Sequence, residues 1–172
     1  QGGYVKRTDP SEYRAQRRGG VGVMDLNTKE EDFVNLFITA STHDDLLFFS
    51  DRGKVYQIKM YDVPEGKRAT RGKSVMNFLP LAEGEKVSSV LPMKSGNKTA
   101  ESIMLVTKAG IAKKVSLESL KDVRRSGIIA ITLEAGDELL TAFLVGPGDE
   151  AIVATREGKA IRFKESDVRP MG

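Results

Sequence analysis

Short apolar runs separated by polar, glycine-containing turns dominate the hydrophobic pattern of this chain. Leu46 to Phe49 and Val55 to Ile58 flank the turn Ser50-Asp-Arg-Gly53. The same arrangement recurs around Thr107-Lys-Ala-Gly110 and around Thr155-Arg-Glu-Gly158. A glycine at the end of such a turn supplies the positive φ that closes a short hairpin loop. The pattern therefore predicts three β-hairpins of similar construction.

The turn glycines also define a longer repeat. Gly3, Gly53, Gly110 and Gly158 are spaced 50, 57 and 48 residues apart, which is in the range of propellers and other repeat arrays. We expect repeats near 1–50, 51–107, 108–155 and 156–172. Because the chain begins at a turn and stops within a fourth unit, we expect it to be part of a larger array with open strand edges.

Further apolar runs between the hairpins make four strands per repeat plausible. These strand candidates are Leu36 to Ala40, Val87 to Leu91, Ile128 to Leu133 and Leu139 to Val145. No stretch sustains a 3.6-residue apolar period, and Val115 to Val123 has room for a single helical turn. The pattern therefore predicts an all-β fold.

Composition narrows the class of protein. The chain has 172 residues, of which 40% are hydrophobic, so a folded core is expected. It has no run of 18 apolar residues and no signal-peptide pattern, so we expect a cytoplasmic protein without a membrane partner. The absence of cysteine excludes disulfides and thiolate metal sites.

Charge is strongly segregated along the repeat, although the formal net charge is only +3. The windows 1–18, 52–73, 108–125 and 156–169 hold 23 of the 27 Lys and Arg but only 9 of the 24 Asp and Glu. If the repeats stack, their basic segments fall at equivalent places and form one cationic stripe. Such a stripe points to a polyanionic partner.

The most specific basic motif is Gln16-Arg17-Arg18-Gly19-Gly20-Val21-Gly22. Two arginines can fork onto phosphate oxygens, and glycines let backbone amides approach a polyanion closely. The same slot reads Thr70-Arg71-Gly72-Lys73 and Arg124-Arg125-Ser126-Gly127 in later repeats. Basic residues combined with glycine are therefore a property of this position in the repeat.

This motif resembles the gyrase box, Gln-Arg-Arg-Gly-Gly-Lys-Gly, of the C-terminal DNA-wrapping domain in the A subunit of DNA gyrase. Six of seven positions match, and Val21 replaces the family's Lys. The similarity extends through Gly3-Tyr-Val-Lys, Glu30-Glu-Asp-Phe33 and Phe49-Ser-Asp-Arg-Gly-Lys-Val-Tyr56, and covers essentially the whole chain. We expect the missing cation at Val21 to weaken DNA binding.

The resemblance implies a β-pinwheel, a propeller-like disc of four-stranded blades, of which this chain would supply about three to four. Its basic perimeter would wrap double-stranded DNA within an ATP-dependent type IIA topoisomerase that introduces negative supercoils. The implied partners are the remainder of the gyrase A subunit and the gyrase B subunit, in a bacterial, nucleoid-associated complex. ATP and Mg²⁺ would serve the holoenzyme, with no cofactor, metal site or catalytic residue in this chain.

We expect DNA contacts from the box and from the equivalent basic slots of the later repeats. The candidates are Arg14, Gln16, Arg17, Arg18, Gly19, Gly20, Gly22, Arg68, Arg71, Lys73, Lys113, Lys114, Arg124, Arg125 and Arg169.

Two other functions stay open. The repeats also resemble the C-terminal tail of the topoisomerase IV A subunit, which presents DNA for decatenation. A propeller-type module that binds an acidic protein would show the same stripe.

Two other chemistries are not supported by the motifs. Gly66 to Ser74 lacks the spacing of a P-loop, and the lone His43 cannot supply convergent metal ligands.

Overall fold

The fold is that of a computed structural model, which describes residues 3–13, 18–20, 34–67, 69–93, 102–121 and 123–170. Within these ranges the chain forms eleven strands and five short 3₁₀ turns, and no α-helix. The strands are β1 (Tyr4–Val5), β2 (Asp45–Ser50), β3 (Lys54–Lys59), β4 (Lys73–Ser74), β5 (Val87–Met93), β6 (Ser102–Thr107), β7 (Ala112–Ser116), β8 (Ile128–Ile129), β9 (Leu139–Val145), β10 (Glu150–Ala154) and β11 (Ala160–Lys164). The 3₁₀ turns are Pro10–Glu12, Met60–Asp62, Val75–Asn77, Glu118–Leu120 and Glu165–Asp167. The predicted all-β class is confirmed, and Glu118–Leu120 is the single turn expected within Val115 to Val123.

The three predicted hairpins are confirmed as the antiparallel pairs β2 and β3, β6 and β7, and β10 and β11. Their turn glycines have φ values of 75° at Gly53, 87° at Gly110 and 80° at Gly158. In each turn, the hydroxyl three residues before the glycine accepts a hydrogen bond from the amide one residue after it. These hydroxyls belong to Ser50, Thr107 and Thr155, with N to O distances of 3.3, 3.2 and 3.2 Å. The shared turn sequence therefore has a shared hydrogen-bonded geometry.

The outermost strand of a repeat pairs with the sheet of the preceding repeat, and we call this arrangement strand exchange. The short strand β4 pairs with β1 of the preceding repeat, and β8 pairs with β3. In both cases the residue two positions after the turn glycine faces the first residue of the short strand: Val5 faces Lys73, and Val55 faces Ile128. The strand β1 and the hairpin of β2 and β3 are thus each extended by the segment that follows the next hairpin along the chain.

One of the predicted strands does not form, and another is shorter than predicted. Leu36 to Ala40 forms no strand; Ile38 and Ala40 instead pack their side chains against a core cluster from extended loop backbone. The predicted strand from Ile128 to Leu133 ends at Ile129, because the amides of Ala130 and Ile131 both donate to the carbonyl of Gly53, at 2.8 and 3.1 Å. Their side chains then turn into the core, where each is 4% exposed.

The core lies between successive sheets, which pack face to face. Alternate residues of β2 point to opposite sides: Leu46 and Phe48 join one buried cluster, while Leu47 and Phe49 join the next. Strand β6 continues the pattern, since its Ile103 shares the cluster of Leu47 and its Met104 faces a third. Each of these two central strands is therefore buried on both faces, as in the blades of a propeller.

Successive sheets lie close together at one edge. The strand order β5-β2-β3-β8 puts β5 and β8 at opposite edges of one sheet. At the first edge β5 lies beside β9 of the next sheet, and the hydroxyl of Ser89 accepts a hydrogen bond of 3.0 Å from the amide of Ala142. We call the opposite edge, formed by β4 and β8, the outer edge.

Candidate nucleic-acid interface

Two basic loops lie at equivalent places on the outer edge. Lys73 is the first residue of β4 and Arg71 lies two residues before it, while Arg124 and Arg125 lie in the loop just before β8. Arg169 precedes Pro170, which forms a parallel bridge to Lys114 of the preceding hairpin. The cations before β4 and before β8 thus lie where the chain crosses onto the outer side of the preceding repeat. Pro170 instead takes the place of Glu65, which forms the same parallel bridge to Arg7. We call these five exposed side chains the basic rim: Arg71, Lys73, Arg124, Arg125 and Arg169.

Glycine holds two of these loops tightly against the preceding repeat. Gly72 has φ of 84°, and a Cβ there would lie 2.5 Å from the carbonyl oxygen of Val5. Gly127 has φ of 78°, and a Cβ there would lie 2.5 Å from Cε1 of the Tyr56 ring. The glycine in the repeated basic slot is therefore needed for close packing of the loop on a strand. The sequence pattern suggests a different use, approach of the backbone to a polyanion.

The rim side chains make few contacts with the protein itself. Within the described ranges, no hydrogen bond or ion pair joins the side chains of Lys73, Arg124, Arg125 or Arg169 to another residue. The guanidinium carbon of Arg71 lies 3.8 Å from the centre of the Tyr4 ring. These cations are consequently available to an external anion.

Much of the box lies outside the described residues. Gln16, Arg17, Gly22, Arg14 and Arg68 all belong to the undescribed part of the chain. The described box residues Arg18, Gly19 and Gly20 are exposed. Gly19 has φ of 81°, the same left-handed conformation as Gly72 and Gly127, and a Cβ at Gly19 would have no atom within 4 Å.

Lys114 does not belong to the exposed set that the sequence suggests. Only 6% of the residue is exposed, and its ammonium donates to the carboxylate and, at 2.9 Å, to the carbonyl oxygen of Glu165. A lysine satisfied in this way joins two repeats and does not face solvent. The neighbouring Lys113 is half-buried, and its ammonium donates to the carbonyl of Ala130 at 3.1 Å. Lys114 therefore contributes to packing between repeats, and Lys113 to packing within one repeat.

A buried polar pair supports the loop around Gly127. The hydroxyl of Tyr56 donates to Oε1 of Glu85 at 3.0 Å, and the amide of Ala82 donates to the other oxygen at 2.8 Å. Burial, and then the hydrogen bond to Glu85, raise the pKa of Tyr56 to about 12. Burial acts to raise the pKa of Glu85, but hydrogen bonds from Ser50, Ala82 and Tyr56 outweigh it and hold that pKa below its usual value.

A shallow groove of about 440 Å³ lies between two adjacent parts of the rim. One wall is the segment from Met76 to Pro80, which follows β4, and the other is Arg125 with Ser126. Met76 is 60% exposed at this position. The surface between the two basic loops is therefore open to a large ligand that contacts both.

The described residues offer neither a metal site nor a membrane span. They contain no group of three or more His, Cys, Asp or Glu placed to hold a metal ion. Among the same residues, no helix has the length and apolarity needed to cross a membrane.

The stacked sheets with exchanged outer strands define the class of protein as a propeller-like repeat domain. A family model described as "DNA gyrase C-terminal domain, beta-propeller" matches residues 1–40, 44–92, 101–145 and 149–172. The chain therefore belongs to the DNA gyrase C-terminal domain family, and the predicted resemblance is confirmed.

Relatives in sequence agree with this assignment. The chain is 44% identical over 171 residues to the DNA gyrase A subunit of Clostridium acetobutylicum, and 43% identical over 170 residues to that of Escherichia coli K12. Each alignment covers 99% of this chain, but only 20% and 19% of the respective relative. The chain thus spans about a fifth of the length of these relatives.

Solved structures show the same fold. The crystal structure of the C-terminal domain of DNA topoisomerase IV aligns with a TM-score of 0.79 and 26% identity, over 99% of this chain and 51% of that one. The DNA gyrase A C-terminal domain aligns with a TM-score of 0.72 and 25% identity, over 99% and 54%. The propeller-like fold is confirmed by both comparisons.

Proposed function

We propose that this chain binds duplex DNA along the basic rim and bends it around the outer edge. The observation that supports this most directly is the equivalence of the basic loops. The loops before β4 and β8 join the preceding repeat in the same register, so their cations lie on one edge of the array. A single edge with regularly placed cations suits a stiff, regularly charged polymer better than a compact anion.

The energetics favour a distributed contact surface. Smooth bending of a 20–30 base-pair site by 40–90° costs on the order of 1–6 kcal/mol. Many separate phosphate contacts along a curved edge offset this cost, because each releases counterions from the DNA. Phosphates carry no base identity, so binding by this surface has little sequence preference.

The sequence relatives, which are A subunits of DNA gyrase, suggest the larger setting. In this proposal the chain works within an ATP-dependent type IIA topoisomerase, together with the remainder of the A subunit and with the B subunit. ATP and Mg²⁺ serve other parts of that holoenzyme, and this chain contributes no catalytic residue. The bent DNA is the segment presented for strand passage, which biases the reaction towards negative supercoils in the bacterial cytoplasm and nucleoid.

Two alternatives lead to different outcomes. The structural likeness to the topoisomerase IV domain favours a role in DNA presentation for decatenation. The nearly complete box motif and the names of the sequence relatives favour gyrase. A module for an acidic protein is less well supported, because phosphates spaced along a duplex match repeated loops at regular intervals.

Ligation of nicked circular DNA in the presence of the chain tests the proposal. A chiral bend changes the linking number of the sealed circles, and we expect a shift that grows with protein concentration. The double variant Arg124→Ala/Arg125→Ala should reduce that shift. The matched variant Arg156→Ala/Lys159→Ala removes two exposed cations from a hairpin turn and should preserve it.

The outcomes separate the alternatives. Tight binding without any change in linking number would rule out chiral bending by this chain. Equal affinity for an acidic polypeptide and for duplex DNA of the same charge would favour the protein-binding module.

A further inference from the structure

The contact between Tyr4 and Arg71 joins strand β1 of the first repeat to the basic loop of the next. Tyr4 begins β1, directly after the turn glycine, and Arg71 precedes the loop glycine Gly72. The guanidinium carbon lies 3.8 Å from the ring centre, within the range of a face-on cation–π contact. Tyr4 is 44% exposed, so the pair lies at the protein surface.

The geometry points to Tyr4 as a positioning residue that orients Arg71 for a DNA phosphate, an inference that rests on the proposed function. A guanidinium bound through its face keeps the N–H groups at its edges free. Those edges make the forked hydrogen bonds with phosphate oxygens. The ring also leaves the positive charge of Arg71 unneutralised, whereas a carboxylate partner would compete with phosphate.

The second repeat provides an internal comparison. Lys54 holds the place of Tyr4 after its turn glycine, and Ser126 holds the place of Arg71 before the loop glycine. The outer strands are paired in the same register at both places, although no ring–guanidinium contact is possible at the second. The stack is therefore not required to form the outer edge, which leaves orientation of Arg71 as its role.

The expected effect is on affinity and not on the number of contacts. An unrestrained arginine loses rotamer freedom when it binds, and a prior orientation lowers that cost. Removing the ring should therefore weaken DNA binding about fivefold at constant salt. The slope of log K against log salt should stay unchanged, because the same phosphates are still neutralised.

Duplex binding by the chain, measured at several salt concentrations, tests the inference with four variants. Tyr4→Leu should weaken binding about fivefold with the slope preserved, while Tyr4→Phe should retain the affinity of the unchanged chain. Arg71→Ala should reduce the slope by about 0.9. In the Arg71→Ala background, Tyr4→Leu should have no further effect.

Arg71→Lys provides a second route that leaves Tyr4 intact. It keeps the charge but loses the planar group, so it should preserve the slope and weaken binding as Tyr4→Leu does. Tyr4→Leu that binds like the unchanged chain, or that weakens binding equally with and without Arg71, would overturn the inference. If Tyr4→Leu lowers the melting temperature, the Arg71→Lys result decides, and normal affinity in that variant counts against the inference. Failure of the unchanged chain to bind duplex DNA would instead remove the proposed function itself.

Discussion

Tyr56 is the residue through which a buried carboxylate supports a basic loop. Its hydroxyl donates to Glu85, and its ring lies against Gly127. Tyr56 is 1% exposed and Glu85 is 6% exposed, so neither partner can exchange this bond for water. The position of the loop before β8 therefore depends on a side chain of the preceding repeat.

Replacement of Gly127 by alanine should be more destabilising than the same change at Gly110. Both glycines have positive φ, which costs an alanine about 1–2 kcal/mol. At Gly110 nothing lies within 4 Å of the added Cβ, whereas at Gly127 the Tyr56 ring is 2.5 Å away. Overpacking adds about 1–3 kcal/mol, so Gly127→Ala should lose about 3 kcal/mol or more in denaturant unfolding. Equal losses in the two variants would contradict the close packing.

The raised pKa of Tyr56 predicts a loss of stability at high pH. The folded chain holds this proton up to about pH 12, whereas the unfolded chain releases it near pH 10. The contribution of Tyr56 is thus complete below pH 10 and is lost as the pH rises towards 12. The free energy of unfolding of the unchanged chain, relative to Tyr56→Phe, should fall by on the order of 2 kcal/mol over this interval. A constant difference across that range would contradict the prediction.

Among the secondary-structure elements, the sequence predicted the hairpins formed by neighbouring residues but not the strand pairs formed between repeats. The hairpins were predictable because turn glycine, turn hydroxyl and flanking apolar runs all lie within about a dozen residues. The two-residue strand β4 has no periodicity to detect, and the apolar run that contains β8 indicates neither its short extent nor its partner in the preceding repeat. The roles of Gly72 and Tyr4 depend on these same long-range pairings, so sequence patterns could not indicate them.

The lysines of β7 show the same limit for the candidate site. Lys113 and Lys114 look alike in sequence, yet strand alternation turns them to opposite faces. One face meets the loop at Ala130, and the other meets the 3₁₀ turn that carries Glu165. Whether a cation lies on the basic rim therefore depends on contacts with distant segments of the chain as well as on the motif.

Lys114→Met should destabilise the chain without changing how DNA binding depends on salt. The methionine keeps most of the buried stem but leaves Glu165, whose side chain is 17% exposed, without its cation. We expect a loss of about 2 kcal/mol in unfolding free energy, because a largely buried charge is left unpaired. Adding Glu165→Gln should recover part of this loss. A reduced salt slope in Lys114→Met, measured where the chain is folded, would show that this lysine does contact phosphate.

At the scale of the whole molecule, the small net charge of +3 conceals an arrangement that matters more than its sum. The sequence could predict that cations recur at one place in the repeat. Only the strand pairings bring those places to a single edge, because the loops before β4 and β8 both cross outward onto the repeat before them. The strand exchange is thus what brings the repeated cations together on one edge.

This arrangement predicts how substitutions in separate basic loops of the rim combine in their effect on DNA binding. Arg71→Ala/Lys73→Ala and Arg124→Ala/Arg125→Ala each remove two cations and should each reduce the salt slope by about 1.8 if every side chain meets one phosphate. Combined, they should reduce it by about 3.6, because separate loops contact separate phosphates. The linking-number shift should fall more steeply than the slope, since a bent duplex needs contacts on both sides of the bend. If the second pair of substitutions leaves the slope unchanged once the first pair is present, the two loops do not share one DNA path.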